Sequence, residues 1–394
     1  MAHLLSRLFS RPVCILLVEL SLVLLFAACG NERPGSAGRS SVRGAEAFSK
    51  KLEKNMMPTG GTALDSAFDL DAFFGRIMHG VVVTGADREA FRTAAASKLN
   101  FGRRIMQSVG PDGGFRFLRI RREDGEERAL FRVVQQNGGL AYYEFLLTED
   151  SAGSVHIVDA YSYLSGEFAS ATLRRQFAAE PGGQFARLFA SSGETQTAPV
   201  LIRMKDLVDA GKFSEATAFY ATLPPDLRKN RLMILQRLLA AIGADSPDHA
   251  TVLAEARRDL GMDVTIDMTM LDYYYMTHRL DSLGAAVDRL DVHVGGDPYL
   301  NLFRATIAMA RRDGDKAAAY AWALLNGDPE NPDGYWAVVN ASILRRDYAT
   351  ISRMLDALKS RFNLPITPAV IRGDTLYRDY AASPEFTAWA ARQK

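Results

Sequence analysis

The sequence predicts a two-part protein, in which an α+β domain with an antiparallel meander is followed by an all-α region of helical repeats. Two observations predict this fold class. Four strand-like runs separated by turn dipeptides lie between residues 115 and 164, and small and large apolar residues recur about every 34 residues after residue 195. A third observation, an apolar segment that ends in two alanines and a cysteine, predicts a leader ahead of both parts.

The leader covers residues 1–28. Arg7 and Arg11 supply its positive start, and an apolar stretch runs from Val13 to the two alanines before Cys29. Phe26-Ala27-Ala28-Cys29 resembles the bacterial lipobox, which implies cleavage before Cys29 and lipid attachment to that cysteine. The alternatives are a plain secretion signal with an incidental Cys29, and a retained membrane helix.

Charge and length disfavour the retained helix. Glu19 interrupts the apolar stretch, and a charge at the centre of a spanning helix costs roughly 2.5–3.5 kcal/mol. The stretch is also shorter than the ~20 residues that a spanning helix needs.

Cysteine usage agrees with lipid attachment. The chain has two cysteines, and Cys14 lies inside the leader, so cleavage leaves one cysteine that cannot form an internal disulfide. Gly30 follows the cysteine. In bacterial lipoproteins, which this segment resembles, Asp at that position is the signal for retention at the inner membrane. The resemblance therefore implies that this protein is attached to the outer membrane and faces the periplasm. The formal net charge of +1 gives no support for nucleic-acid binding.

Residues 29–60 are rich in Gly, Ser, Pro and charge, which predicts a flexible tether. Its excess of basic residues could favour anionic lipid headgroups, although a solvated linker is the simpler interpretation.

Residues 61–190 are predicted to form the α+β domain. Helical spacing covers 70–78, 87–109 and 166–179, and the strand-like runs are 115–122, 129–136, 140–148 and 155–164. Helices that lead into a curved antiparallel meander resemble the NTF2-like fold in the order and length of their elements. A generic α+β arrangement is the alternative.

Residues 195–394 are predicted to be all α-helical. The repeat pattern places small residues between large ones at Phe213-Ala216-Tyr220, Leu283-Ala286-Leu290, Lys316-Ala319-Ala323 and Tyr348-Ile351-Leu355. These frames resemble the tetratricopeptide repeat, with a degenerate repeat near 230–265. Ser383 and Pro384 predict the start of a last helix, which caps the solenoid with Phe386 and Trp389.

The sequence shows no catalytic or metal-binding motif that we recognise, so we expect a non-enzymatic protein without a cofactor. One pocket is nevertheless predicted. By strand alternation Tyr143, Phe145, Asp159 and Tyr161 share one face of the sheet, where they would line an aromatic cone for a small ligand or for modest acid/base chemistry. A packed core is the alternative.

A second predicted site is the concave groove of the repeats. The repeat frame places eight basic, polar and aromatic residues on it: Lys205, Tyr275, His278, Arg279, Asn301, Arg304, Arg311 and Asn340. Such a groove favours an acidic peptide or a C-terminal carboxylate. A solvated face is the alternative. The sequence therefore predicts a lipid-anchored envelope protein that binds a protein or peptide partner, in an assembly or adaptor role.

Overall fold

The computed structural model describes residues 42–98, 100–111, 113–136, 138–180, 183, 185–189 and 194–393. The predicted leader and Cys29 lie outside the described residues, as does the start of the predicted tether. A five-stranded antiparallel sheet with its helices comes first, and an all-helical region follows.

The helices of the first part are α1 (Ala45–Met56), α2 (Thr62–Asp65), α3 (Leu70–Ile77), α4 (Gly85–Lys98), α5 (Phe101–Val109) and α6 (Ala169–Ala179). Its strands are β1 (Gly114–Glu123), β2 (Glu126–Val134), β3 (Leu140–Glu149), β4 (Val155–Ser162) and β5 (Glu167–Phe168).

The helical region contains α7 (Glu194–Asp209), α8 (Phe213–Ala221), α9 (Pro225–Arg228), α10 (Arg231–Gly243), α11 (His249–Leu260), α12 (Val264–Met276), α13 (Leu280–Val294), α14 (Asn301–Ala310), α15 (Gly314–Gly327), α16 (Pro332–Arg345), α17 (Tyr348–Phe362), α18 (Pro368–Gly373), α19 (Arg378–Ala381) and α20 (Pro384–Ala391).

The strands pair in chain order, so the predicted meander is confirmed. Asp124 and Gly125 join β1 to β2 with φ angles of 52° and 78°. Two positive φ angles define the hairpin turn whose twist matches that of the strands. The two-residue strand β5, which the sequence did not predict, extends the sheet beside β4.

Two expectations about the helices of this part are wrong. The segment predicted as one helix over 87–109 forms α4 and α5, because Asn100 leaves helical geometry with φ −147°. Residues 45–56 of the predicted tether form α1, which packs on β1. The backbone N–H groups of Val42 and Arg43 donate to Glu127 (3.1 Å) and Glu149 (2.8 Å), which fixes the entry to α1.

A recurring turn organises the helical region. Five helix pairs are each joined by a turn with one residue in the left-handed conformation, and these residues are 33 or 34 positions apart: Gly211, Asp245, His278, Arg312 and Arg346. The residue that follows each left-handed residue donates its backbone N–H to the carbonyl oxygen of the residue five positions before it, at 2.8–3.0 Å. This bond closes the end of the first helix of each pair. The segment expected to be degenerate therefore keeps the repeat, as α10 and α11.

Buried apolar residues repeat with the same spacing in the second helices of the last three pairs. Nine positions spaced by 34 residues have no exposed surface: Leu283, Ala317 and Ile351; Val287, Ala321 and Leu355; Leu290, Leu324 and Leu358. The frame predicted at Lys316-Ala319-Ala323 is wrong, because Ala319 and Ala323 are exposed. The pattern of equivalent buried positions is compatible with a helical solenoid.

The chain end behaves as predicted for a capped helix. Ser383 accepts a hydrogen bond from the N–H of Phe386 (3.1 Å), and Pro384 follows in the first turn of α20. Trp389 is fully buried and donates to Asp356 of α17 (2.8 Å).

Of the described residues, 42–269 form one compact unit and 270–393 form another. The first helix pairs therefore belong to the same unit as the sheet, and the boundary lies inside α12. This division differs from the boundary expected near residues 190–195.

Candidate functional site

The eight residues predicted to line the groove lie on four helices and in two of the turns that follow them. Lys205 is on α7, in the first compact unit. The other seven belong to the second unit and lie at the end of α12, in the turn after it, on and just after α14, and on α16.

The first helices of three pairs are covered on every side. Residues 232–236 of α10, 264–268 of α12 and 334–339 of α16 are all buried. A run of buried residues longer than 3.6 spans the whole circumference of an α-helix. The surface predicted to form an open groove is therefore closed along these segments of α10, α12 and α16. In α14, by contrast, residues 301–304 are half-buried.

Lys205 does not lie on an accessible surface. Its residue exposure is 7%, and its ammonium group pairs with Asp209 one turn later on α7. The spacing of four residues on one helix is itself a sequence signal for this ion pair.

Two of the predicted arginines contact acids of their own chain. Arg304 of α14 bonds to Asp288 (2.8 Å) and Asp291 (2.9 Å) on α13, and these carboxylates raise the pKa of Arg304 although burial opposes them. Arg311 pairs with Asp281, also on α13. The residues predicted for the basic groove lie on or beside first helices, and aspartates of the second helix α13 compensate the charge of these two arginines.

The remaining members differ in accessibility. Asn301 accepts a hydrogen bond from Arg304 at 3.3 Å, so the structure brings these two predicted residues together. Tyr275 and Asn340 are half-buried, and burial raises the pKa of Tyr275 to about 12. His278, Arg279 and Arg311 are exposed at or beside the left-handed turns.

These three exposed residues define what we call the turn surface: His278, Arg279 and Arg311. The guanidinium of Arg279 lies 5.6 Å from the ring centre of Tyr273. Arg311 has half of its side chain exposed, and Asp281 has 98%. Exposed ion pairs contribute little free energy, so a carboxylate from another molecule can replace Asp281 at small cost.

The predicted pocket residues of the sheet lie on two different faces, so that expectation is wrong. Tyr143 pairs with Ser162 and Phe145 with Ala160, whereas Tyr161 pairs with Glu144 and Asp159 with Leu146. Directly paired residues share a face, and neighbours along a strand alternate. The register between β3 and β4 depends on their turn and on a bulge beside Asp159, and alternation along one strand does not predict either.

A small cavity borders Tyr143 and Phe145. Its volume is about 40 Å³, and Phe101, Ile105 and Ala160 supply apolar walls. Ser165, whose residue exposure is 3%, also lines it. Pockets for drug-sized ligands usually measure roughly 300–1,000 Å³, so this space suits a few water molecules.

The opposite face holds a buried charged cluster. The carboxylate of Asp159 accepts from Arg76 Nε (2.8 Å), from Ser170 Oγ (2.5 Å) and from the N–H groups of Ser170 (3.1 Å) and Ala160 (2.9 Å). Burial raises the pKa of Asp159, against the opposing effects of Arg76 and Ser170. Burial likewise raises the pKa of Tyr161 to about 12. These contacts fill the space beside Asp159 and join α3 and α6 to β4.

Neighbouring charges extend this cluster. Glu144 is 1% exposed and bonds to Arg121 (2.6 Å) and to the hydroxyl of Tyr163 (2.7 Å). Two guanidinium groups, those of Arg76 and Arg128, each lie 5.2 Å from the centre of the Phe168 ring. The sequence pattern did not predict this cluster. Its available signal was charge inside the strand-like runs: Arg119 and Arg121 in β1, Glu126 and Arg128 in β2, and Glu144 in the otherwise apolar and aromatic start of β3.

Within the described ranges, no group of three or more His, Cys, Asp or Glu side chains could hold a metal ion. Across the same part of the chain, no helix combines the length and apolar character needed to cross a bilayer. No protein-family model, curated protein or solved structure matches this chain.

Proposed function

We propose that this protein is anchored by lipid on Cys29 to the bacterial envelope, at the outer membrane facing the periplasm, and binds a protein or peptide partner without catalysing a reaction. Its helical region acts as a repeat scaffold of the tetratricopeptide-like kind. The α+β part, NTF2-like in the order of its elements, stabilises the start of that scaffold.

The recurring left-handed turn is the observation that supports a scaffold role. Arrays of helix pairs repeat one structural unit and expose the same positions of each unit along an extended surface, which is how such arrays contact protein partners. A constant spacing of the turns favours this role, since it keeps the exposed turn residues of the last three pairs equivalent.

Within this scaffold, the turn surface is the proposed contact for the partner. The arginines supply charge-assisted hydrogen bonds for carboxylates, so an acidic segment is the chemistry that fits. Arg304, Tyr275, Asn301 and Asn340 are less accessible than the sequence suggested, so they are not part of the proposed contact.

The small-ligand alternative has less support. The cavity beside Tyr143 and Phe145 is small, and Asp159 and Tyr161 lie on the other face among side chains that already satisfy the carboxylate. We therefore retain partner binding as the proposed function.

Photocrosslinking in intact cells tests the partner contact. A photoreactive amino acid at His278 or Arg311 should capture one discrete partner, and the same probe at Val82, which is 91% exposed in the sheet-containing unit, serves as the control. Charge reversal of Arg279 in the His278-probe protein should reduce the yield by roughly five-fold or more, corresponding to one charge-assisted contact. Equal capture at Val82, or a yield indifferent to charge, contradicts the proposal.

Lipid attachment is tested separately. Mass spectrometry of the chain from its host should find an N-terminal, diacylglyceryl-modified Cys29, and Cys29→Ser should release the protein from the membrane fraction. An unmodified Cys29 contradicts lipid attachment. Partner binding is then still decided by the crosslinking experiment alone.

A further inference from the structure

Helix α1 presents two chemically different faces. Ala45, Ser49, Leu52 and Met56 are buried, and they recur at intervals of three or four residues. The lysines Lys50, Lys51 and Lys54 are exposed. Burial of one face fixes how the helix is rotated, so the lysines are held together on the outside of the protein.

Two of these lysines retain uncompensated charge. Lys50 pairs with Glu46 at 2.6 Å, and Glu53 is occupied by Arg116 at 3.0 Å. Among the described residues, Lys51 and Lys54 have no ion-pair partner. Met57, which is 49% exposed, follows directly after the helix. The exposed face of α1 therefore offers two cations beside an apolar side chain.

Its position in the chain brings this face close to the proposed anchor. The helix is the first described element after Cys29, and only residues 30–41 separate the cysteine from the start of the described chain. A chain of that length spans at most about 45 Å when fully extended. Lipid on Cys29 would thus keep α1 within a short distance of the bilayer.

Proximity changes how strong the contact must be. A free protein needs many cations to bind a membrane, but a tethered one meets the surface at a high effective concentration. Each lysine near an anionic surface favours the docked state by roughly five-fold, so Lys51 and Lys54 together favour it by about 25-fold.

We propose that the exposed face of α1, defined by Lys51, Lys54 and Met57, docks on the anionic phospholipid surface of the membrane that carries the anchor. The lysines contact phosphate headgroups, and Met57 lies at the level of the headgroup region. This inference rests on the lipid attachment proposed above. It adds an orientation, because docking through α1 fixes which side of the first compact unit faces away from the membrane.

Lysine footprinting tests the docking with the whole protein. The chain isolated from its host is reconstituted into vesicles of phosphatidylcholine with about 30% phosphatidylglycerol, and in parallel into phosphatidylcholine alone. Brief acetylation then reports the accessibility of each lysine. We expect Lys51 and Lys54 to react at least five-fold more slowly on the anionic vesicles. About 0.5 M NaCl should remove the difference by screening.

Lys212 is the matched control, since it lies in the same compact unit with 55% of its side chain exposed. Its reaction rate should not depend on lipid composition. Equal rates for Lys51 and Lys54 on the two vesicle types, with lipid present on Cys29, overturn the docking and leave the anchor intact. Protection by an acidic protein in the absence of vesicles, without protection by anionic lipid, also overturns it. An absence of lipid on Cys29 in the same sample overturns both the proposed lipid attachment and the docking of α1.

Discussion

Two arginine–aspartate pairs, one in each compact unit, show how differently the same chemistry serves the two regions. Arg76 and Asp159 lie 2.8 Å apart, and the aspartate side chain has no exposed surface. Arg311 also pairs with an aspartate, Asp281, whose side chain is 98% exposed. The first carboxylate accepts four hydrogen bonds, and the second is solvated.

Burial thus decides how much free energy an ion pair contributes to stability. Removing one partner of a buried pair leaves an uncompensated charge and costs about 3–5 kcal/mol, whereas exposed pairs are worth about 0–1 kcal/mol. The sheet of the first unit therefore depends on its charged cluster. The hairpins of the second unit depend on apolar residues at equivalent positions, such as Val287, Ala321 and Leu355.

The largest effect is expected from Asp159→Ala. It leaves Arg76 and the Ser170 hydroxyl without their acceptor and should lower the free energy of unfolding by about 3–5 kcal/mol. Urea denaturation followed by circular dichroism measures the loss, and Asp281→Ala is the matched change in the exposed pair. The comparison between the units breaks down if the two substitutions cost the same.

Gly166→Ala should be the next largest. Gly166 has φ +69°, and a methyl group there would collide with the guanidinium of Arg231, which donates to the carbonyl of Gly166 at 2.9 Å and to Asp263. The strain of a left-handed alanine and the lost hydrogen bond together should lower the free energy of unfolding by about 2–3 kcal/mol.

Gly153→Ala is the control for Gly166→Ala, because Gly153 has φ +81° and ordinary contact distances around its added methyl group. Both variants introduce backbone strain, but only Gly166→Ala introduces the collision with Arg231. The difference between their unfolding temperatures therefore measures the effect of the collision. Equal losses would show that the contact with Arg231 contributes nothing.

Ala321→Leu tests the packing of the second unit. Ala321 is fully buried on α15, and overpacking a close-packed helix contact costs about 1–3 kcal/mol. Ala319→Leu, two residues earlier on the exposed side of the same helix, should change stability by less than about 0.5 kcal/mol. Chemical denaturation with both variants checks this difference. A neutral Ala321→Leu would mean that the repeat does not require a small residue there.

A smaller effect depends on pH. Burial raises the pKa of Asp272 to about 6, so the folded state binds a proton that the unfolded chain has already released. Stability should therefore be greatest below the unfolded pKa and decline as pH rises from about 4 to 6, by roughly 1–2 kcal/mol because the residue is half-buried. Denaturation midpoints of the wild type and of Asp272→Asn across this range test the sign. A decline of equal size in the variant would assign the pH dependence to another group.

The strand and repeat patterns predicted much of the local structure. Alternating residues and the Asp124-Gly125 turn located the meander, and Ser383-Pro384 located the start of α20. The spacing near 34 residues predicted the helix pairs. It placed Leu283, Ile351 and Leu355 in the core correctly, but it selected Ala319 in place of the buried Ala317 and Ala321. Because α15 contains several alanines, the sequence pattern does not distinguish the buried alanines from the exposed ones.

The candidate sites were less predictable from the sequence, because they depend on contacts between distant elements. Strand alternation grouped Tyr143 with Asp159, but a register set by a turn and a bulge separated them. The repeat frame grouped Arg304 and Arg311 as a basic surface, but Asp288, Asp291 and Asp281 lie beside them on α13.

The amino-acid sequence was sufficient to predict much of the element order and the spacing of the helix pairs, because turn dipeptides and hydrophobic periodicity are local. It also motivates the anchor at Cys29, a motif read in four adjacent residues. Which charges are buried and which surfaces are open depends instead on contacts between elements that are distant in the chain. A carboxylate such as that of Asp159 acquires its role from Arg76, 83 positions away in the chain, and only folding brings those two groups to 2.8 Å.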